Sequence, residues 1–519
     1  MAVACITDLR AQSAVEALQL TDNDLVGSAR FVSMGGAFTS LGGDISSLSQ
    51  NPAGIGVYSS NEVVTTLTLA PQSTQVNNLP GNAASNKTRV HFDNLGFVGT
   101  FQFKDLPLEN INIGAAYNSH KSFSRNYHVN YASLNGSLSN AIAGLCTENP
   151  NDLLVANDAY NNGAQWLDIL AYDNFLTKYS NGGYEGLYAN GSTSGNAYLD
   201  VRESGYNNEY TFNFGGNIAN RVFFGIGVGI IDLHYDMEAE YGESLTGTQG
   251  ELESGTSLYP IIQSDYSLYN NLTFDGTGAN FKAGLIVYLT DFWRIGAAVH
   301  TPTYYSIRRV ASGDILNDYV YTQSGSKSDY HYSSTPASRA HFSLRTPLKF
   351  MVGTSYTIGY KAIVSADYEF TAYSSMNLRD VDGYEQTYAE DNDDISTYLK
   401  NNHTVRAGAE YRITSNWSAR LGYSFATSPV SKEWLDNDEY VPTAGTVTNY
   451  ALGRTKNIYS GGLGYHIRHI FVDLAYQHSR VSQEVMAYSA IPKQKIPGSE
   501  SARLITKNNN IILTFGVKF

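Results

Sequence analysis

From Glu62 to Phe519 the chain repeats one unit, an alternating apolar and polar segment of about ten residues followed by a gap. The segments fall near 62–71, 91–103, 109–132, 206–217, 221–239, 276–289, 292–310, 341–357, 361–378, 403–412, 417–426, 456–466, 470–487 and 505–519, an even set of fourteen. The gaps alternate as well. Those near 104–108, 218–220, 290–291, 358–360, 413–416 and 467–469 are short, whereas 133–205, 240–275, 311–340, 379–402 and 427–455 are long. Short turns at one end and long loops at the other are the pattern of a membrane-spanning barrel with periplasmic turns and extracellular loops. A soluble sandwich has no reason to gather its long loops at one end, and repeated structureless loops are uncommon in compact soluble domains.

Within the segments the two faces differ. In the last one Ile511, Leu513, Phe515, Val517 and Phe519 oppose Ile512, Thr514, Gly516 and Lys518. Val222, Phe224, Ile226, Val228 and Ile230 oppose Gly225, Gly227 and Gly229, and Trp417, Ala419, Leu421, Tyr423 and Phe425 oppose Arg420 and Gly422. The large apolar face suits lipid, and the small inward residues leave room in a lumen. Tyr368 with Phe370, and Tyr304 with Tyr305, are expected in the aromatic girdles at the membrane interfaces.

Composition agrees. There are 39 Tyr and 47 Gly, and charged residues make up 16%, below the roughly 25% of ordinary soluble domains. Mean hydropathy of -0.26 and the lack of a long apolar run exclude a spanning helix, but a spanning strand needs only one apolar face. A net charge of -14 sets nucleic acid aside as a partner, since phosphates require a basic stripe.

The inward face also carries charge: Lys282, Arg294, Asp367, Glu369, Arg406, Glu410, Arg412, Arg420 and Asp473. On the lipid face each Arg or Lys near the midplane would cost about 2–4 kcal/mol, so these residues should point into the lumen. Either a salt-bridged network or a polar guide for a ligand would place them there.

Residues 1–13 read as the remnant of a signal peptide, with a mature start near Gln12 or Ser13. Neither Cys5 nor Cys146 belongs to a disulfide framework or a metal site. Residues 14–60 then differ from everything that follows. Gly27 to Tyr58 is rich in Gly and Ser, with Gly35, Gly36, Gly42 and Gly43 permitting tight turns and Pro52 fixing a bend. A segment of this size ahead of fourteen strands is placed to fold back into the barrel as a plug.

Several ordered motifs carry a resemblance: Ser28-Ala29-Arg30, Met34-Gly35-Gly36-Ala37-Phe38, Gly42-Gly43-Asp44 and Asn51-Pro52-Ala53-Gly54-Ile55-Gly56-Val57-Tyr58. Further along stand His300-Thr301-Pro302-Thr303-Tyr304-Tyr305, Asp367-Tyr368-Glu369, Gly408-Ala409-Glu410-Tyr411 and Gly422-Tyr423-Ser424 with Ser428-Pro429. In this set and order the chain resembles the FadL-type long-chain fatty acid transport proteins, in particular divergent Bacteroidetes members often labelled hemin receptors. The resemblance implies an all-β fold: a fourteen-stranded antiparallel transmembrane barrel (61–519) in the Gram-negative outer membrane, with an N-terminal hatch (14–60) and long extracellular loops. It also implies a hydrophobic ligand captured outside and released by hatch movement or through a lateral opening. By motif match Asn51, Pro52, Ala53 and Gly54 belong to the hatch.

Pocket residues do not carry over, because the loops differ. The loop 133–205 contains an amphipathic stretch, Leu153 to Leu176, in which Trp166, Leu167, Leu170 and Phe175 are expected either to contact an apolar ligand over the barrel mouth or to pack the loop against itself.

No catalytic signature is present. His234 and His300 read as interface or lumen histidines rather than bases, Gly276 and Gly278 lack the rest of a phosphate loop, and no His, Cys or Asp cluster has metal-ligand spacing. No cofactor is expected, and available His and Tyr residues alone do not support heme. The expected partners are outer-membrane lipid, a hydrophobic small molecule and, during insertion, the barrel-assembly machinery. The leading expectation is a passive channel for hydrophobic compounds such as long-chain fatty acids. The alternative is a scaffold or cargo carrier in an outer-membrane secretion or assembly complex, with an outer-membrane protein or lipoprotein as partner; fold does not separate the two.

Overall fold

The computed structural model describes residues 13–146, 154, 159–161, 164–180, 182–254 and 257–519. The expected leader remnant and Cys5 therefore lie outside the described residues, as does Leu153.

Fourteen strands close into one antiparallel barrel. In chain order they are β1 (Glu62–Val76), β2 (Ser85–Gln102), β3 (Leu108–Ser122, resumed at Arg125–Tyr131), β4 (Ser194–Ile218), β5 (Val222–Thr246), β6 (Ser257–Tyr288) and β7 (Trp293–His300, resumed at Tyr304–Thr322). There follow β8 (Ser338–Arg345, resumed at Lys349–Ile358), β9 (Ala362–Thr371, resumed at Asn377–Asp380), β10 (Asn402–Arg412), β11 (Trp417–Ala426), β12 (Tyr450–Ile467), β13 (Ile470–Met486) and β14 (Ala502–Lys518). The ring closes where β14 meets β1, with Lys518 opposite Glu62 and Leu513 opposite Leu67. Among the described residues no helix is long and apolar enough to cross a membrane, so the crossing is made by strands.

Two of the short turns show why they are short. Ala219 and Asn220 have φ of 51° and 54°, and Gly359 and Tyr360 have φ of 53° and 60°, paired left-handed residues that reverse the chain within the three residues between Ile218 and Val222 and between Ile358 and Ala362.

The long connections are shorter than the sequence suggests, because strands run well past the membrane. β5 and β6 stay paired as far as Thr246 opposite Gln263, so much of the span 240–275 is ladder rather than loop. The top of β7 forms a hairpin with Ser326–Ser334, and β4 begins at Ser194, inside the span expected to be loop. The reason is a change of face. Ile226, Val228 and Ile230 are exposed on the outside of β5, but Asp232, His234, Asp236, Glu238 and Glu240 continue the same outward row. An apolar-face criterion therefore stops at the membrane surface while the hydrogen-bonded ladder does not.

Inward residues of these extensions turn apolar. Ile231, Leu233, Tyr235, Leu268, Leu272, Phe274 and Phe342 form one core with α1 (Ala14–Thr21), α3 (Leu138–Cys146), α4 (Trp166–Asp173), α5 (Ala389–Tyr398) and α6 (Lys432–Leu435). Trp434 of α6 is fully buried and stacks on Tyr398 with ring centroids 4.8 Å apart. Tyr304 faces outward as expected, whereas Tyr305 is buried in this core, because neighbours on a strand point to opposite faces.

Candidate functional site

The N-terminal segment runs down the lumen from the extracellular core to the point where β1 enters the wall. Its turns are capped locally. Ser28 Oγ accepts from Phe31 N–H at 3.1 Å ahead of α2 (Ala29–Ser33), Asp44 Oδ1 accepts from Ser46 N–H at 2.9 Å, and Asn51 Oδ1 accepts from Ala53 N–H at 3.0 Å with Pro52 in the first helical position. Asn51 Nδ2 also donates to the Thr39 carbonyl at 2.6 Å, so the Asn51–Gly54 motif ties two turns of the segment together. Gly35 and Gly36 adopt φ of 65° and 72°, and a Cβ on Gly35 would stand 2.8 Å from the Tyr423 backbone.

The inward glycines of the wall answer this segment. A side chain on Gly225 would meet the Pro52 carbonyl, one on Gly296 the Thr39 carbonyl, one on Gly422 the Gly35 nitrogen, and one on Gly408 would lie 2.5 Å from the Met34 carbonyl. The room that the small residues Gly225 and Gly422 leave in the lumen is taken by backbone of the same chain.

Charged residues join plug and wall. Arg30 Nε reaches Glu410 at 3.0 Å, Arg420 reaches Glu410 at 2.7 Å and Asp473 at 2.6 Å. Arg406 pairs with Glu369 at 2.7 Å, and Lys282 with Glu209 at 2.6 Å. Asp367 accepts from the Thr39 N–H at 2.8 Å and so anchors the plug backbone. Two residues expected in this network stand apart. Arg294 faces the lumen but lies over the Tyr288 ring, 4.3 Å from its centroid, with no ion pair among the described residues. Arg412 is exposed at the end of β10. Near the strand ends, an aromatic ring stands in for the acidic partner at Arg294, and the Arg412 side chain is exposed.

Above the plug lies a cavity of about 390 Å³, bounded by α1, by residues 22–26 and by inward side chains of many strands. Its lining is mixed, apolar side chains such as Leu18, Phe31, Phe123 and Met351 alternating with charged ones. Asp22 pairs with Lys121 at 3.0 Å, Asp24 with Lys456 at 2.8 Å, and Glu209 with both Lys282 and His120. Burial alone would raise the Asp22 carboxyl, but the ammonium groups of Lys121 and Lys456 hold it below the ordinary carboxylate range. Glu16 on α1 is pushed up by burial, partly offset by hydrogen bonds from Ser13 and the Ala444 N–H. Lys349 has only the Asn23 side-chain amide at 3.2 Å and no ion pair among the described residues, and Arg406 keeps its buried Nη1 without a partner. Both line the cavity, which leaves it with spare cationic donors.

The wall is unzipped beside this cavity. β2 and β3 pair from Gln102 opposite Asn110 to Asn94 opposite Asn118 and no further. Beyond that point β2 stays with β1 as far as Ser85, and β3 stays with β4. Among the described residues no backbone-to-backbone bond bridges the seam: Arg89 donates to Ser122 Oγ at 3.1 Å and to the Ser124 carbonyl, Lys87 Nζ donates to Ser124 Oγ at 3.0 Å, and Asn82 Nδ2 donates to the Asn130 carbonyl at 3.3 Å. A second cavity of about 80 Å³ opens at the seam, lined by Arg89, His91 and Asp93, and it shares Asp24, Leu25, Val26 and Lys456 with the larger one. Val90, 71% exposed, and Phe92 flank the seam on the lipid side.

In the loop 133–205, Leu170 is fully buried, Trp166 and Leu167 are half-buried against the extracellular core, and Phe175 sets its ring against Tyr319 and His331. His300 lies in the lumen with Nε2 2.8 Å from the Gln50 carbonyl, and His234 lies on the outer face between Asp236 and Asp275. Lys121, Lys349 and Lys456 were not singled out in the sequence, although Lys349 alternates with the outward Phe350 and Val352 and was open to the same rule.

Comparison with known proteins agrees with this architecture. The family model described as outer membrane protein transport protein (OMPP1/FadL/TodX) matches residues 190–518. No curated protein matches the chain. Among solved structures, a Pseudomonas aeruginosa FadL homologue is 12% identical over 96% of this chain and 99% of its own, with a TM-score of 0.53. A deltaS2 mutant of the TodX monoaromatic hydrocarbon channel is 15% identical over 96% and 100%, with a TM-score of 0.51. The P. putida toluene transporter TodX is 14% identical over 96% and 99%, with a TM-score of 0.47. The chain therefore belongs to the FadL/TodX family of transport proteins, β-barrels of the Gram-negative outer membrane that act as channels rather than enzymes.

Proposed function

We propose that this protein passes hydrophobic small molecules that carry an anionic head, long-chain fatty acids being the class that fits best, and that they leave or enter through the seam between β2 and β3. The observation that carries this is the unzipped wall, with an apolar lipid-side rim at Val90 and Phe92 and a cavity directly behind it. The chemistry of the larger cavity selects within the class. A plain hydrocarbon would satisfy the apolar part of the lining but leave Lys349 and the Arg406 Nη1 without an anion, whereas a carboxylate gains charge-assisted hydrogen bonds from both.

The test begins with lipid extracted from the purified protein and identified by mass spectrometry. Fatty acid should be recovered, and Lys349→Ala should bind oleate about tenfold more weakly, as loss of a hydrogen bond to a charged group implies. An oxidised Arg89→Cys/Ser122→Cys staple should slow uptake and reduction should restore it. Absence of lipid together with stably co-purifying proteins would overturn this reading.

The same result would favour the scaffold or carrier reading, which has its own support. The extracellular half of the barrel is filled by a packed core rather than an open funnel, and the hairpin strand Ser326–Ser334 pairs with β7 on one side only among the described residues, with Tyr330 and Tyr332 exposed.

A further inference from the structure

On the lipid side of β13 the outward row reads Ile470, Val472, Leu474, Tyr476, His478, Arg480, and beside it on β14 the row descends Lys507, Asn509, Ile511, Leu513, Phe515. At about 3.4 Å per residue and a tilt near 40°, the ten steps from Ile470 to Arg480 rise about 25 Å, the height of the apolar band. Arg480 therefore stands at the outer boundary of the hydrocarbon, and Lys507 stands directly opposite it in the ladder. Both are exposed, and among the described residues neither forms an ion pair. The neighbouring acid, Glu484, is already held by Arg454 at 2.6 Å and Arg503 at 2.9 Å.

Like charges directly opposite in a ladder repel, so this pair is at its best with an anion between the two side chains. The layers below have an order of their own. One step toward the membrane, His478 Nδ1 and the Tyr476 hydroxyl both meet Asn509 Oδ1 at 2.8 Å, and beneath them Leu474, Ile511 and Leu513 are bare to lipid. Cations, then polar hydrogen-bonding groups, then hydrocarbon is the order of phosphate, sugar and acyl chain in a phosphorylated glycolipid. The opposite wall differs: at the corresponding height on β5 to β7, His234 and Arg308 are both paired to Asp275.

We propose that Arg480 and Lys507 form a binding site for the phosphate of an outer-leaflet glycolipid of the lipid A type, a boundary-lipid site separate from the lumen. The full-length protein, reconstituted in nanodiscs containing hexa-acylated lipid A and released into mild detergent, should retain lipid A in native mass spectrometry. Arg480→Gln/Lys507→Gln should retain about twenty-five-fold less, two cations each contributing about fivefold near an anionic surface. Arg480→Lys should keep most of the binding, and Arg308→Gln on the other wall should keep all of it. Heat-modifiable migration on gels reports that each variant is a folded barrel. Equal retention by the double glutamine variant, or equal binding of dephosphorylated lipid A, would overturn the proposal; so would binding of inorganic phosphate alone at the same strength, since that would mark an ion site rather than a lipid site.

Discussion

The lower and upper halves of the lumen are built from the same fourteen strands but are filled by opposite chemistry. Below, inward Gly225, Gly296, Gly408 and Gly422 admit a foreign backbone, and Arg30, Glu410, Arg420 and Asp473 bind it by charge. Above, inward Ile231, Tyr235, Leu268 and Phe274 pack against α1 and the loop helices as an ordinary core. The difference concerns what can move. Polar contacts to a plug can be exchanged for contacts to water, whereas an apolar core loses its transfer free energy as soon as it opens. The cavity lies where the two halves meet.

The largest expected effect tests the upper half. Trp434→Ala removes a fully buried ring stacked on Tyr398 and should cost about 3–5 kcal/mol, felt as protease sensitivity of the extracellular region. The barrel itself should still migrate as folded; if it does not, the two halves are one cooperative unit and the comparison fails.

A smaller effect is expected below. Gly225→Val sets methyl groups against the Pro52 carbonyl, and overpacking of this kind costs about 1–3 kcal/mol. Faster hydrogen exchange over residues 28–58 with an intact extracellular core is the anticipated result. Unchanged exchange there would mean that the wall yields rather than the plug.

The smallest effect is a dependence on pH, and it has two signs. Glu16 has a raised value in the folded chain, so its burial is least costly when protonated, and docking of α1 should tighten as pH falls from neutral toward 4.5. Asp22 is depressed, so its contribution is present above its ordinary value of 3.8 and is lost as pH falls below that. Hydrogen-exchange protection of residues 14–26 should thus pass through a maximum in mild acid. A monotonic loss of protection from pH 7 downward would remove Glu16 from the account.

Much of the candidate site was legible as orientation and little of it as partnership. Alternation alone turns Asp367, Glu369, Arg406, Glu410, Arg420 and Asp473 inward, because a strand has a period of two. It says nothing about which carboxylate meets which cation. Arg294 obeys the same rule and finds Tyr288 instead, and Asp367 finds a plug N–H rather than an arginine. Asn51, Pro52, Ala53 and Gly54 were singled out by motif match alone; the cap that Asn51 Oδ1 forms with the Ala53 N–H is a local contact between residues two apart.

The sequence by itself determined the number of strands and the face each turns to lipid, since periodicity is written in neighbouring residues. Only the tertiary structure decided that the inward glycines hold the plug, that β2 and β3 part above Asn94, and that Lys349 finds no ion pair among the described residues. Those outcomes depend on which residues, hundreds of positions apart, face each other across a closed barrel.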